Sequence, residues 1–182
     1  KADIARSGDL GYTTGPWEAR PKGKDDPNVL HGNYVTLWKK RADGSWKLVT
    51  DIGNVNEKPA SVPAEALRLD PAEVRSRGGA ADPQTAEASL LAADRAFGKE
   101  AQSKGVPTAY TDLLAGDGRV VRNGAFPVIG REAVRGFLTD RKVSMAWEPL
   151  KGETSRAGDF GYTYGTYEEA SAAGTPEKGH YL

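Results

Sequence analysis

The sequence predicts an α+β protein assembled from two partial copies of one module. Three observations carry that reading. Thirteen residues beginning at Arg6 recur 150 positions later, beginning at Arg156, with Arg, Gly, Asp, Gly, Tyr, Thr, Gly and Glu identical at eight places. Strand patterns fill residues 1–54, whereas 85–182 opens with helical patterns and returns to strands. Between them, 57–84 carries Pro59, Pro63, Pro71, Gly78 and Gly79 and no aromatic residue, a composition too poor in apolar area to order itself. The expected division is 1–56 as the end of a first copy, 57–84 as a linker and 85–182 as the first three-quarters of a second. A repeat has to be found first, because missing one mis-assigns the architecture.

In the first copy, 9–15 alternates large and small side chains. Leu10, Tyr12 and Thr14 face one way, and Gly11, Thr13 and Gly15 the other, the period-two pattern of a strand. A loop rich in Lys, Asp and Pro follows over 20–28. Residues 33–40 form a second strand, with Tyr34, Thr36 and Trp38 on one face and Val35 and Leu37 on the other. Asp43-Gly44 supplies the positive-φ chemistry of a hairpin turn. The return strand, 46–52, sets Trp46, Leu48 and Ile52 on a shared face. The outcome is a meander with an apolar side and no helix to cover it. A single helical turn is expected over 71–77 in the linker.

The second copy opens with Asp82 as a helix cap and Pro83 in the first turn. Leu90, Leu91, Phe97 and Ala101 fall on one stripe, and Gly105 ends the helix. A short helix over 107–114 ends at Gly116, and strands over 119–122 and 126–129 flank Asn123-Gly124. A third helix over 131–138 turns Val134, Phe137 and Leu138 inward. Strand 143–149 alternates Val143, Met145 and Trp147 with polar neighbours, and the repeated strand occupies 159–167. His180-Tyr181-Leu182 then matches Asn33-Tyr34-Val35. Lys1 aligns with Lys151, so both ends fall inside strands, as expected of a piece of a longer protein.

Bulk composition removes several classes of function. Lys plus Arg and Asp plus Glu each number 25, so there is no basic excess to grip nucleic acid. No apolar run approaches the roughly 18 residues of a membrane-spanning helix. Cysteine is absent, which excludes disulfides, thiolate catalysis and Cys-ligated zinc, and two histidines argue against a His-rich metal site. The glycines at 8, 11 and 15 do not form a dinucleotide fingerprint. No cofactor is expected, and compartment is open, since periplasmic, exported and cytoplasmic locations all fit.

Helix, short helix, hairpin, helix and long antiparallel strands is an order that resembles the nuclear transport factor 2-like superfamily. Within it, the chain is similar to the SnoaL-like, ketosteroid-isomerase-like branch known as domain of unknown function 4440. The resemblance rests on Leu91-Ala92-Ala93-Asp94-Arg95-Ala96-Phe97, on Val128-Ile129-Gly130-Arg131-Glu132-Ala133-Val134 and on Gly158-Asp159-Phe160-Gly161-Tyr162-Thr163-Tyr164-Gly165. Residues 38–54 are similar to the family's last hairpin. The resemblance implies a cone-shaped, strongly curved antiparallel or mixed sheet wrapped around helices. Here it would be completed in circularly permuted fashion, with 33–52 pairing to the sheet of 85–182 across a linker of about 28 residues that can span roughly 90 Å. Two half-domains joining between chains through open strand edges are the alternative.

The resemblance also places a ligand pocket between the first helix and the sheet. Asp94 lies beside the apolar stripe; buried there it would hold a raised pKa and serve as general acid or base. At the rim it would bond Arg95, a neighbouring loop or water. Arg122 stands where isomerase relatives carry a catalytic carboxylate, and a guanidinium cannot take a carbon-bound proton. Steroid-type isomerisation is therefore disfavoured, and Arg122 is either a holder of a carboxylate or phosphate or a solvated strand residue. Tyr12, Tyr110, Tyr162, Tyr164, Tyr181, Trp147 and Trp38 supply an aromatic wall for a small apolar or aromatic ligand, or plain core packing. Three functions follow: a small-molecule-binding module in tandem; a cofactor-independent isomerase, cyclase or lyase using Asp94; or a structural repeat that forms a homodimer through its sheet. No nucleic-acid or membrane partner is expected.

Overall fold

The computed structural model describes residues 1–58, 82–171 and 176–182. The helical turn expected over 71–77 and nearly all of the linker lie outside the described residues. The fold is α+β with three helices and antiparallel sheets among the described residues. In order the elements are β1 (Ala2–Ile4), β2 (Leu10–Ala19), β3 (Leu30–Lys40), β4 (Trp46–Asn56), α1 (Pro83–Lys104), α2 (Val106–Leu113), β5 (Arg119–Val120), β6 (Val128–Ile129), α3 (Arg131–Arg141), β7 (Val143–Thr154), β8 (Gly161–Ser171) and β9 (Glu177–Tyr181). Among the described residues no helix is long and apolar enough to cross a membrane.

Two compact units cut across the two sequence copies. The first is Lys1–Pro83 with Val121–Pro127 and Thr154–Phe160; the second is Gln84–Val120, Val128–Glu153 and Gly161–Leu182. In the first unit β1–β4 form one antiparallel sheet in chain order. The 33–52 ribbon is thus paired with β2 of its own copy, and β7–β9 make a separate sheet. The shared ladder expected between 33–52 and the sheet of 85–182 is replaced by pairing within each copy.

The repeat holds at the level of register. Gly15 pairs with Tyr34 and Trp17 with Gly32 in β2–β3, and Gly165 pairs with Tyr181 and Tyr167 with Gly179 in β8–β9. In both copies an aromatic ring lies across the facing glycine. A Cβ on Gly15 would meet the Tyr34 ring at 3.4 Å, and one on Gly165 would meet the Tyr181 ring at 2.7 Å. Bare glycine backbone is covered by a neighbour's ring, which fixes the register on both sheets.

The connecting turns match as well. The Ala5 N–H donates to the Leu10 carbonyl and the Gly8 N–H to that of Ala5, both at 2.8 Å; Ser155 and Gly158 repeat the pattern at 2.8 and 2.9 Å. Gly8 and Gly158 take φ of 67° and 66°, the left-handed region that favours glycine. The two turns clasp each other within the first unit. The Arg6 N–H donates to the Asp159 carboxylate at 3.0 Å, and the Arg156 N–H to that of Asp9 at 3.1 Å. Tyr12 stacks on Phe160 with centroids 5.9 Å apart. Burial alone would raise the Asp9 carboxyl, but hydrogen bonds from Ser7 and Arg156 hold it below its ordinary value.

One face assignment changes. Leu37 pairs with Thr50 and Trp38 with Leu48, leaving Val49 as an extra residue in β4. This bulge inverts the alternation, so Trp46 and Leu48 share the face of Trp38 and Tyr34, while Ile52 pairs with Val35 on the other. Residues 119–122 and 126–129 do form a hairpin, shortened to two pairs: Arg119 with Ile129 and Val120 with Val128.

The core of the second unit joins Ala101 of α1, Val106 and Ala109 of α2, Val120, Val134 and Leu138 of α3, and Met145. Gly105 at φ 89° both ends α1 and starts α2, and Gly130 at φ 87° starts α3. The inward set foreseen for α3 holds, with Val134 and Leu138 fully buried and Phe137 packed against them.

Candidate functional site

Helical spacing puts Leu91, Asp94 and Gly98 on one side of α1. Side chains of β7 and β9 meet them there. The Trp147 indole N–H donates to Asp94 Oδ1 at 2.8 Å, and the Tyr181 hydroxyl donates to Asp94 Oδ2 at 2.8 Å. A Cβ on Gly98 would stand 3.5 Å from the indole, so the missing side chain lets the helix come close to Trp147. Phe97 meets Trp147 edge-on at 4.7 Å and Tyr110 at 4.8 Å, giving three rings in mutual contact.

Asp94 is half-buried, and Arg95, the partner it would have at a solvated rim, pairs instead with Glu148 at 2.9 Å. Each carboxylate oxygen of Asp94 is engaged by an aromatic donor. Burial, then donation to Asp94, raises the Tyr181 phenol well above its ordinary value. The Trp147 indole N–H and the Tyr181 hydroxyl are both committed to Asp94. The arrangement is that of a clamp that fixes two rings.

The remaining candidate residues are scattered. Tyr110 joins the ring cluster through Phe97. Tyr162 and Tyr164 lie on β8. Tyr162 donates to Glu153 at 2.9 Å, and burial together with that bond raises its phenol. Trp38 and Arg122 belong to the first unit. The Trp38 indole donates to the Thr13 hydroxyl at 3.0 Å, and the Arg122 carbonyl accepts from the Asn54 amide at 2.7 Å.

An open hollow of about 610 Å³ crosses the three strands of the second sheet. Its lining includes Trp147, Tyr167, Glu148, Lys178 and His180; the register sets Tyr167, opposite Gly179, on one face of the sheet and Lys178 and His180, opposite Glu168 and Thr166, on the other. Lys178 pairs with Glu168 at 3.2 Å. Tyr167, Lys178 and Glu148 escaped the sequence reading because single aromatic and charged residues on a strand carry no motif. Three asparagines escaped it too. Asn33, Asn54 and Asn56 are buried at 2%, 5% and 7% exposure, burial that polar amides reach only when paired. Asn33 donates to Asn56 at 2.7 Å, and Asn54 donates to the carbonyls of Arg122 and Ala125 at 2.7 and 3.0 Å. The period-two recurrence of Asn54 and Asn56 was the available signal.

Among the described residues no group of three or more His, Asp or Glu side chains is placed to hold a metal ion. Comparison with protein-family models, curated proteins and solved structures finds no match for this chain.

Proposed function

We propose that the chain is a non-catalytic, small-molecule-binding module of the SnoaL-like type in the nuclear transport factor 2-like superfamily, present in tandem copies. Its ligand is a small apolar or aromatic compound seated in the hollow across β7–β9. The observation that carries this reading is a hollow whose lining brings Trp147 and Tyr167 together with Glu148, Lys178 and His180. Ring faces supply apolar area and the polar edge supplies orientation, which is how small-molecule sites are commonly built. Asp94 contributes by pinning the Trp147 indole, so that the wall is ordered before a ligand arrives.

The enzyme reading needs a carboxylate available to a substrate, and both oxygens of Asp94 are engaged. Support for the family comes from the motifs around Asp94, Arg131 and Asp159 and from the order α1, α2, hairpin, α3, β7–β9. The finer architecture, a cone completed in permuted fashion by packing rather than by a shared ladder, is part of the proposal. It is supported by Val121–Pro127, a stretch of the second copy that belongs to the first unit and is bonded there to Asn54 and Val55 of β4.

A thermal-shift screen of small aromatic and polyketide-like compounds tests this. Compounds that stabilise the wild type are expected to stabilise Asp94→Asn comparably and Trp147→Ala far less. A compound that acts on the wild type and not on Asp94→Asn would restore the acid–base reading. The absence of any Trp147-dependent shift would remove the ligand site.

A further inference from the structure

Seven large hydrophobic side chains are exposed among the described residues, and five of them share one face of the β1–β4 sheet. Ile4, Leu30, Trp46, Leu48 and Val55 are 40%, 44%, 38%, 53% and 52% exposed. The register places them together: Ile4 faces Gly11, Leu48 faces Trp38, and Val55 faces Gly32, beside Tyr34 and Trp17. An open hollow of about 620 Å³ lies on this face, lined by Trp17, Tyr34, Trp38 and Leu48, with Thr36 bonded to Asp51 beside them. Contiguous exposed apolar area of this kind marks a contact surface.

The other sheet shows what such a face receives. Tyr181 holds the register position of Tyr34, with its ring over Gly165 as the Tyr34 ring lies over Gly15. Above Tyr181 sits an amphipathic helix, α1, whose Asp94 accepts the tyrosine hydroxyl at 2.8 Å. Leu91 of α1 lies against Gly152, and Gly98 against Trp147. Tyr34 has the same strand pairing and the same glycine beneath its ring. Its hydroxyl lies 3.7 Å from a Cβ built on Gly15, on the β2 side, whereas Asp51 lies on β4.

We propose that the exposed face of the β1–β4 sheet is the seat of an amphipathic α-helix of a partner polypeptide, one that presents a carboxylate to the Tyr34 hydroxyl and apolar side chains to Trp17, Trp38 and Leu48. The partner helix has the chemistry of α1: a carboxylate with a leucine three residues before it and an aromatic ring three residues after. This is the helix-in-groove mode of recognition. It stands independently of any ligand bound across β7–β9.

The probe is a synthetic peptide with the sequence of residues 83–104, added to the full chain and followed by tryptophan fluorescence and calorimetry. Saturable binding is expected. Tyr34→Phe in the protein and Asp94→Asn in the peptide are each expected to weaken it roughly tenfold, the loss of one charge-assisted hydrogen bond, and together no further. Tyr181→Phe is expected to leave it unchanged, which separates the seat from exchange with the chain's own α1. Near-UV circular dichroism checks that Tyr34→Phe keeps the native fold. Absence of saturable binding, or binding indifferent to Tyr34→Phe, overturns the proposal. So does a dimer of the chain that Leu48→Asp dissociates, since the seat would then belong to a second copy.

Discussion

Replacing Asp94 with alanine deprives two half-buried donors, the Trp147 indole and the Tyr181 hydroxyl, of their acceptor. A hydrogen bond to a charged group contributes about 1.5–3 kcal/mol, and partial exposure lets water recover a share of each. The expected cost of Asp94→Ala is about 2 kcal/mol, which for a chain of this size lowers Tm by about 4–8 °C. Tyr181→Phe removes one of the two bonds and costs about 1 kcal/mol. The informative quantity is the pairing. With Asp94 gone the tyrosine hydroxyl has nothing to lose, so the double variant is expected to cost no more than Asp94→Ala alone, a coupling of about 1 kcal/mol. Urea unfolding of the four proteins, followed by near-UV circular dichroism, measures it. Single effects that add within about 0.3–0.5 kcal/mol would refute the clamp.

Acid is expected to loosen the turn-to-turn clasp. Asp9 has a folded pKa below its unfolded value, so its contribution is complete above about pH 4 and lost as pH falls through the folded pKa. An amide-exchange profile showing unchanged protection of Arg156 down to pH 2 would contradict this. Alkali acts in the opposite sense on Tyr162 and Tyr181. Their raised phenols contribute stability that is complete below about pH 10 and declines as pH climbs towards their folded pKa values. Ultraviolet titration is expected to show two phenols ionising late, reduced to one in Tyr181→Phe. Gly32→Ala drives a methyl into the Asn54 carbonyl and the Trp17 ring and is expected to cost about 1–3 kcal/mol. Gly136→Ala, in α3 with nothing within 4 Å, is expected to gain about 0.5–1 kcal/mol; thermal melts compare the two.

Much of the fold was legible because local rules and tertiary context agree. Period two marked β2 and β3, and Gly44 takes φ 82° in the turn that Asp43-Gly44 announces. Proline at position 83 and glycine at 105 bound α1 as their backbone chemistry requires. Alternation failed at Val49, since an inserted residue leaves no mark in a hydrophobic pattern while inverting every face beyond it. The break between compact units was also hidden. Val121–Pro127 is bound to the first unit by amides of Asn54, and a buried amide reads in sequence like any turn-forming residue. Asp94 was identifiable from its place beside the apolar stripe, but its donors lie 53 and 87 residues downstream, beyond any local spacing rule.

The proposed ligand seat requires Trp147 to be its wall rather than buried filling. The chain has four tryptophans, so its indole N–H signals form a set small enough to assign by substitution. Titrating the labelled protein with an aromatic compound selected by thermal shift, and following those four signals by ¹H–¹⁵N correlation, interrogates the hollow directly. The Trp147 signal is expected to move in a saturable manner while remaining in slow exchange with solvent, held by Asp94. A compound that binds while the Trp147 signal stays still would contradict the assignment of the hollow across β7–β9.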